Sequence, residues 1–482
     1  MEERFSSLAH AVRWPVLGKY LGQLLLALGV LILPPIAVAL LAGEFTPVPR
    51  YLLAGAMLCA LGWPLSRLQA PDRLQGNEAM VIVTLAFVLD PLVMAYPLTS
   101  SGLSYTDALF EAVSGITTTG LTMLNAVHDK SHLFLFTRAW MQWYGGLGFV
   151  VLAVALLAQQ GLAGRKLVET SGAEILVSTS RVHARGMLGV YLLLTTLAFL
   201  MIWAAGLAPF AALAHALAAV STGGFSPFDQ SLGGDLPAFV PWAVEFASFL
   251  GAVSFTVYYA ALRGKPGALW EDVELRTLVL LCALWSAILV VWFAAHGMGL
   301  AQALHHGILL AVSAQSTTGF STLDPASLAD LPKGVLILAM LIGGSVGSTA
   351  GGTKILRFLL LLRLLQLFLR RASVTEHAVV DIRLGGRMIG DAEFARALLM
   401  AALFWAVILV SWLIFLAYGY PALNALFEVV SATGTVGLSA GVTSSALPTL
   451  LKLLLCLDML AGRLEIMALL ISFYPPTWFG RR

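Results

Sequence analysis

The residues whose types and spacing could do chemistry are four short strings of one pattern. They are Thr118-Thr119-Gly120-Leu121-Thr122, Thr222-Gly223-Gly224-Phe225-Ser226, Thr317-Thr318-Gly319-Phe320-Ser321 and Thr435-Val436-Gly437-Leu438-Ser439. The pattern, Thr-x-Gly-(Leu/Phe)-(Ser/Thr), recurs about every 100 residues, as one unit built four times would. Carbonyls from four such strings meeting on an axis can replace the water around a cation. Glycine suits the centre because turning adjacent carbonyls to one side needs backbone angles open mainly to Gly. The carbonyls expected to serve are those of Thr118, Thr119, Thr222, Gly223, Thr317, Thr318, Thr435 and Val436. The Leu or Phe after each glycine is expected to point away and wedge the strand against a helix. A dehydrated K⁺ calls for many weak oxygen ligands. No Asp or Glu occurs in any string, which argues against a carboxylate ring for Ca²⁺.

The stretches leading into the strings also align. Glu111, His215, Leu310 and Glu428 hold one register, and Ser114, Ala218, Ser313 and Ser431 hold another. These read as short pore helices whose carbonyl ends carry partial negative charge toward a shared cavity. The serine position admits either a specific hydrogen bond or mere small-residue packing, which Ala218 would also satisfy. Glu111 and Glu428 could pack and hydrogen-bond, or contact an ion.

The elements that must position these strings are membrane spans. The chain has 482 residues, 59% of them hydrophobic and only 11% charged, against about 25% charged in a soluble domain. The mean hydropathy is +0.88. A net charge of +2 gives no reason to expect a nucleic-acid partner. Cys59, Cys282 and Cys456 fall inside apolar runs and read as packing residues. His305-His306, the one histidine pair, reads as the start of a pore helix rather than a metal site.

Apolar runs long enough to cross a bilayer lie at 20–41 and 51–68, then in pairs at 78–98 and 133–159, 187–206 and 238–262, 276–296 and 334–370, and 392–419 and 447–473. The first run contains Pro34-Pro35 and reads as a retained helix; Ala37-Val38-Ala39 is the competing cue for a cleaved signal. Between the spans of each pair lies a stretch too short to cross and return as helices. A half-helix followed by an extended return fits, provided it is buried in protein or lines a polar cavity. The expected fold is thus all-α and integral to the membrane, with ten transmembrane helices. It has four membrane–pore–membrane repeats with pseudo-fourfold symmetry, preceded by two extra helices. The expected segments are 1–75, 76–163, 164–266, 267–380 and 381–482.

Charge gives orientation. With the amino terminus inside, most of the 28 Lys and Arg residues fall on the inner side, among them Arg4, Arg73, Arg165, Lys166, Arg357, Arg363, Arg481 and Arg482. Only Arg50, Lys130 and Lys333 fall outside, as the positive-inside rule requires. All four strings then sit in the outer half. Glu44, Asp129, Asp229, Asp235, Asp324 and Asp330 lie in outer loops, either as a cation-concentrating mouth or as solvated loop residues.

Over nearly its whole length the chain resembles the membrane subunits of the Trk/Ktr/HKT potassium-uptake superfamily, most closely the Trk type. The resemblance rests on Asp107-Ala-Leu-Phe-Glu111, Gln142-Trp-Tyr-Gly-Gly-Leu-Gly148, Gly343-Gly-Ser-Val-Gly-Ser-Thr-Ala-Gly-Gly352, Ser431-Ala-Thr-Gly-Thr-Val-Gly437 and Gly462-Arg-Leu-Glu-Ile466. It implies K⁺ as the transported ion with no covalently bound cofactor, a homodimer among membrane lipid, and a cytosolic nucleotide-binding, RCK-type regulatory subunit. It also implies a multi-pass protein of the bacterial inner membrane with a cytoplasmic amino terminus. Serine at the first string glycine goes with Na⁺ preference in the superfamily, so Gly120 implies K⁺. The second string departs from the first and third, with Gly223 in place of Thr119 and Thr318.

The run 333–371 would span about 58 Å as one helix, against a hydrocarbon core of roughly 30 Å. Gly343, Gly344, Ser345, Gly347, Ser348, Gly351 and Gly352 mark its break. The resemblance makes this break a loop under the strings that obstructs the pore when closed; glycines packing helices together are the alternative. The spacing of Gly347 and Gly352 mimics a phosphate-binding loop, but Thr353-Lys354 is not Lys-(Ser/Thr). Arg463 lies inside the last span near Asp458 and Glu465. It either faces the pore below the strings, as the resemblance implies, or forms a buried ion pair; an ionisable group at such depth needs one or the other. Asp90 before Pro91 could cap a kink. Basic residues from Arg357 to Arg387 offer a docking surface or only a topology signal.

The expected function is K⁺ uptake through a single-chain four-repeat filter. Alternatives within ion transport are a Na⁺/K⁺ transporter of the same superfamily and the ion-binding subunit of a K⁺-pumping ATPase. An integral membrane enzyme is the alternative of another class, disfavoured because no nucleophile, base or metal set clusters in the sequence.

Overall fold

The computed structural model describes residues 11–71, 74–124, 126–159, 176–372, 383–385 and 387–479. Of the charge pattern, Arg4, Arg73, Arg165, Lys166, Arg481 and Arg482 lie outside the described residues, as do the segment boundaries at 163/164 and 380/381.

Helix α1 (Trp14–Val30) turns at Leu31 into α2 (Leu33–Ala42). The break coincides with Pro34-Pro35, which lack the N–H groups that would continue the helix. Helix α3 (Val48–Ser66) returns against α1. A methyl at Gly22 would lie 2.7 Å from Gly62 O, and one at Gly62 would lie 2.8 Å from Gly22 O. Small residues let the two backbones approach this closely.

The four repeats follow. Repeat one has α4 (Gly76–Leu98), pore helix α5 (Tyr105–Ile116) and α6 (His132–Gln159). Repeat two has α7 (Leu176–Ala204), pore helix α8 (Pro209–Val220), α9 (Val240–Gly251) and α10 (Phe255–Leu262). Repeat three has α11 (Val273–Ala295), pore helix α12 (Leu300–Gln315), α13 (Asp330–Ile342) and α14 (Ile355–Arg371). Repeat four has α15 (Asp391–Ala417), pore helix α16 (Ala422–Thr433), α17 (Thr449–Arg463) and α18 (Met467–Phe473). Strands β1 (Arg383–Leu384) and β2 (Arg387–Met388) make one small antiparallel hairpin between repeats three and four.

Among the described residues, six helical stretches are long and apolar enough to cross a membrane, and the bent pair α9/α10 makes a seventh. Helix α6 and the interrupted pairs α13/α14 and α17/α18 occupy the remaining three of the ten runs that the sequence reads as crossings. The pore helices α5, α8 and α16 have 12 residues each, about 18 Å, which reaches only part way through the core.

The sequence anticipates a broken second span in repeat three alone. The structure breaks it in three repeats. Helices α9 and α10 meet at 88°, α13 and α14 are separated by residues 343–354, and α17 and α18 are separated at Glu465 and Ile466, whose φ angles are 56° and 59°. In repeats one, two and four the second span first passes close under its pore helix at a glycine. Methyls at Gly145, Gly251 and Gly462 would lie 2.0, 2.6 and 1.8 Å from the carbonyl oxygens of Ile116, Val220 and Thr433. Only in α6 does the helix run straight on.

Candidate functional site

Each pore helix ends in the same way. The capping residues Thr117, Ser221, Ser316 and Gly434 are still right-handed. The next residue, the first Thr of each string, turns left-handed: φ is 55° at Thr118, 51° at Thr222, 56° at Thr317 and 50° at Thr435. The N–H of that Thr reaches back to Gly115, Ala219, Ala314 or Ala432 O, and the following N–H reaches Ser114, Ala218, Ser313 or Ser431 O. This is the Schellman helix end, with threonine where glycine is usual. A β-branched residue in this region costs about 1–2 kcal/mol, a cost held in place by the surrounding bonds.

The string glycines are left-handed too, with φ of 92° at Gly120, 80° at Gly224, 85° at Gly319 and 96° at Gly437. They also lie against one another's strings in order. A methyl at Gly120 would sit 2.3 Å from Gly223 O. One at Gly224 would sit 2.0 Å from Thr318 O, one at Gly319 1.9 Å from Val436 O, and one at Gly437 2.1 Å from Thr119 O. The sequence of contacts one–two–three–four–one closes a ring. The residues Thr118, Thr119, Thr222, Gly223, Thr317, Thr318, Thr435 and Val436 are buried, while the glycines keep partial exposure. Leu121, Phe225, Phe320 and Leu438 are all buried behind them.

The outgoing strands are tied to the pore helices by polar side chains. Glu111 accepts from the Thr122 hydroxyl and the Met123 N–H, both at 2.6 Å, and pairs with Arg138 at 3.0 Å. Glu428 accepts from the Ser439 hydroxyl at 2.8 Å and from the N–H groups of Ala440 and Thr443. His215 meets the Ser226 hydroxyl at 3.2 Å, and His306 meets that of Thr322 at 3.0 Å. Of the two roles open to Glu111 and Glu428, the structure displays the hydrogen-bonding one. Ser114 and Ser431 accept the N–H of Gly120 and Gly437 at 3.0 Å, and Ser313 donates to Phe320 O at 2.5 Å. Repeat two, with Ala218, lacks this bond. Gln142 from α6 supplies a substitute, donating to Gly223 O at 2.5 Å and accepting from Phe225 N–H at 3.1 Å. Sequence reading placed Gln142 in a matching motif but gave it no role. The signal available was that Ala218 and Gly223 both depart from the other repeats.

Beneath the ring lies the loop 343–354, bonded to repeats two, three and four. The Gly351 N–H donates to Thr317 Oγ1 at 2.6 Å and the Gly352 N–H to Gly434 O at 3.1 Å. The Thr349 hydroxyl donates toward Val220 O and Gly251 O, each at 2.9 Å. Arg463, 2% exposed, donates to Thr349 O at 2.7 Å and to Gly145 O at 3.3 Å. Gly343 O accepts from Gln315 at 2.6 Å, and the Val346 N–H donates to Glu274 at 2.7 Å. Ser345 and Ser348 are fully buried, and Phe255 N–H donates to Gly347 O at 3.0 Å. A methyl at Gly344 would lie 2.5 Å from the Ala350 side chain. The acids near Arg463 in sequence have other partners: Asp458 accepts from Ser411 at 2.7 Å, and Glu465 pairs with Arg357. Asp90 accepts from the Tyr144 hydroxyl at 2.8 Å, and α4 continues through Pro91. Among the described residues, no group of three or more His, Cys, Asp or Glu is placed to hold a metal ion.

Residues 55–477 match the family model described as a cation transport protein, TrkH. The chain is 31% identical over 447 residues to the Trk system potassium uptake protein TrkH of Escherichia coli, covering 89% of this chain and 91% of that one. It is 30% identical to TrkI of Halomonas elongata, covering 97% of each. Among solved structures, the potassium transporter TrkH from Vibrio parahaemolyticus superposes with a TM-score of 0.88 at 27% identity, covering 97% of this chain and all of that one.

Proposed function

This chain belongs to the TrkH cation transport protein family, and on that premise we propose that it takes up K⁺ across a cell membrane through the ring of Thr-x-Gly strings. The observation that carries the reading is the closed order of contacts in which each string glycine lies against the neighbouring repeat's carbonyl. Oxygens so arranged offer a cation many weak ligands in place of its hydration shell. K⁺ is the cargo, held at the carbonyls of Thr118, Thr119, Thr222, Gly223, Thr317, Thr318, Thr435 and Val436. The reading is of a transporter and not of an enzyme, because the relatives bear transporter names.

The loop at Gly343, Gly344, Ser345, Gly347, Ser348, Gly351 and Gly352, with Arg463, serves as the gate. The loop's bonds to repeats two, three and four, and the bond from Arg463 to Gly145 O of repeat one, support this role. The segments 1–75, 76–163, 164–266, 267–380 and 381–482 are the structural units of this reading. The chain works as a homodimer in the bacterial inner membrane with its amino terminus in the cytoplasm, which the charge bias supports. A cytosolic nucleotide-binding regulatory subunit docks on the basic inner face around Arg357 and Arg363.

Flux from proteoliposomes tests the reading. K⁺ should move faster than Na⁺, and a matching regulatory subunit should change the rate. Equal rates for the two ions would overturn the K⁺ assignment, and no flux under any condition would overturn the pore.

A further inference from the structure

We propose that Gln142, a residue of repeat one, is a positioning and specificity-determining residue for the ion path, because it holds repeat two's string at the Gly223 carbonyl and the Phe225 N–H, where repeat two has no serine of its own to steady the string. The inference rests on the K⁺-conduction reading above.

Repeats one, three and four each steady their string with their own serine, Ser114, Ser313 or Ser431. Repeat two has Ala218, which has no hydroxyl. Its string also lacks a side chain at the middle position, where Gly223 replaces Thr119, Thr318 and Val436. Gln142 fills both gaps with one amide. Its Nε2 donates to Gly223 O at 2.5 Å and its Oε1 accepts the Phe225 N–H at 3.1 Å. The fit is mutual, since a methyl at Gly223 would lie 2.4 Å from Gln142 Cδ. A larger residue at 223 and the Gln142 amide therefore exclude each other.

One helical turn earlier on the same face, Arg138 places its guanidinium 3.8 Å from the centre of the Phe225 ring and pairs with Glu111 at 3.0 Å. The two side chains of α6 thus grip the string of repeat two from Gly223 to Phe225. Gln142 is fully buried, so water does not compete for its amide.

The consequence falls on the ion. Gly223 O is the ring member against Gly120. A carbonyl oxygen has two lone pairs, so it can accept from Gln142 and still face a cation. Its direction is then fixed and its field weakened relative to Thr119, Thr318 and Val436. Selectivity in such a ring depends on the number and field strength of its carbonyls. Gln142 therefore sets the asymmetry of the ring.

The test compares K⁺/Na⁺ and K⁺/Rb⁺ flux ratios, per folded protein, in proteoliposomes holding wild type, Gln142→Met, Gln142→Glu and the double variant Gln142→Met/Ala218→Ser. Loss of one such hydrogen bond should change a ratio by about two- to tenfold. Gln142→Glu keeps the acceptor for Phe225 N–H and loses the donor to Gly223 O, so its ratio should shift as well. The added serine, mimicking Ser114 on Gly120 N–H, would accept the Gly224 N–H and leave Gly223 O unheld, so it should restore stability but not the ratio; a ratio restored by the serine would overturn the assignment to the Gly223 carbonyl. Ratios unchanged in the single variants would overturn the proposal, even if their melting temperatures fall. If Gln142→Met does not fold, the Gln142→Glu ratio decides alone. If wild type itself passes no K⁺, the conduction reading fails and this inference falls with it.

Discussion

Arg463 donates from Nη1 to the carbonyl oxygen of Thr349 at 2.7 Å, joining the end of α17 in repeat four to the loop of repeat three. Its Nη2 reaches Gly145 O in repeat one at 3.3 Å. A fixed positive charge thus sits below the ring and helps hold the loop there. At about 5 Å and an effective dielectric of about 20, it would repel an arriving K⁺ by roughly 3 kcal/mol. Water in the cavity screens most of that repulsion, so Arg463→Ala should speed K⁺ flux several-fold while leaving the K⁺/Na⁺ ratio nearly intact. Flux per folded protein, set beside melting temperature, checks this. A destabilised variant with unchanged flux would assign Arg463 to packing alone.

Deleting residues 347–351 should raise basal flux. The deletion removes Thr349, which bonds Val220 O, Gly251 O and Arg463, and Gly351, whose N–H donates to Thr317 Oγ1. Partner-free liposomes are the assay. Flux at the wild-type level in a folded variant would make the loop a packing feature.

The strings, the spans and the break at 343–352 were legible in the sequence because each is a local signal: a repeated short pattern, an apolar run, a cluster of glycines. The left-handed threonines were not. A β-branched residue argues against that conformation, and only the Schellman bonds and the neighbouring string impose it on Thr118, Thr222, Thr317 and Thr435. The breaks after Gly251 and Arg463 were missed because no run of glycines marks them. Gln142 was missed because its partner lies 81 positions away and in another repeat.

Gly120→Ser should weaken discrimination of K⁺ from Na⁺. The new side chain would begin 2.3 Å from Gly223 O in a backbone with φ of 92°, so the ring must shift. Reversal potentials in mixed K⁺ and Na⁺ measure the change. An unaltered ratio in folded protein would remove Gly120 from the selective ring.

The loop that carries Asp229 holds a pH-dependent tie. Asp229 accepts from Val127 N–H at 2.5 Å, and with the His128 side chain and N–H this holds its carboxyl below the ordinary carboxylate range. The unfolded chain therefore binds that proton more readily. The tie stabilises fully above the unfolded value of about 3.9 and is lost as pH falls through the depressed folded value. Melting temperature should drop more steeply in wild type than in Asp229→Asn as pH is lowered below about 4. Parallel pH profiles for the two proteins would contradict the tie.

The most direct measurement of the central claim is the position of a heavy K⁺ analogue. In crystals grown with Rb⁺ or Tl⁺, anomalous density should lie among the carbonyls of Thr119, Gly223, Thr318 and Val436, beside Gly120, Gly224, Gly319 and Gly437. Well-ordered crystals with no density inside that ring, or with the ion bound only elsewhere, would contradict the account.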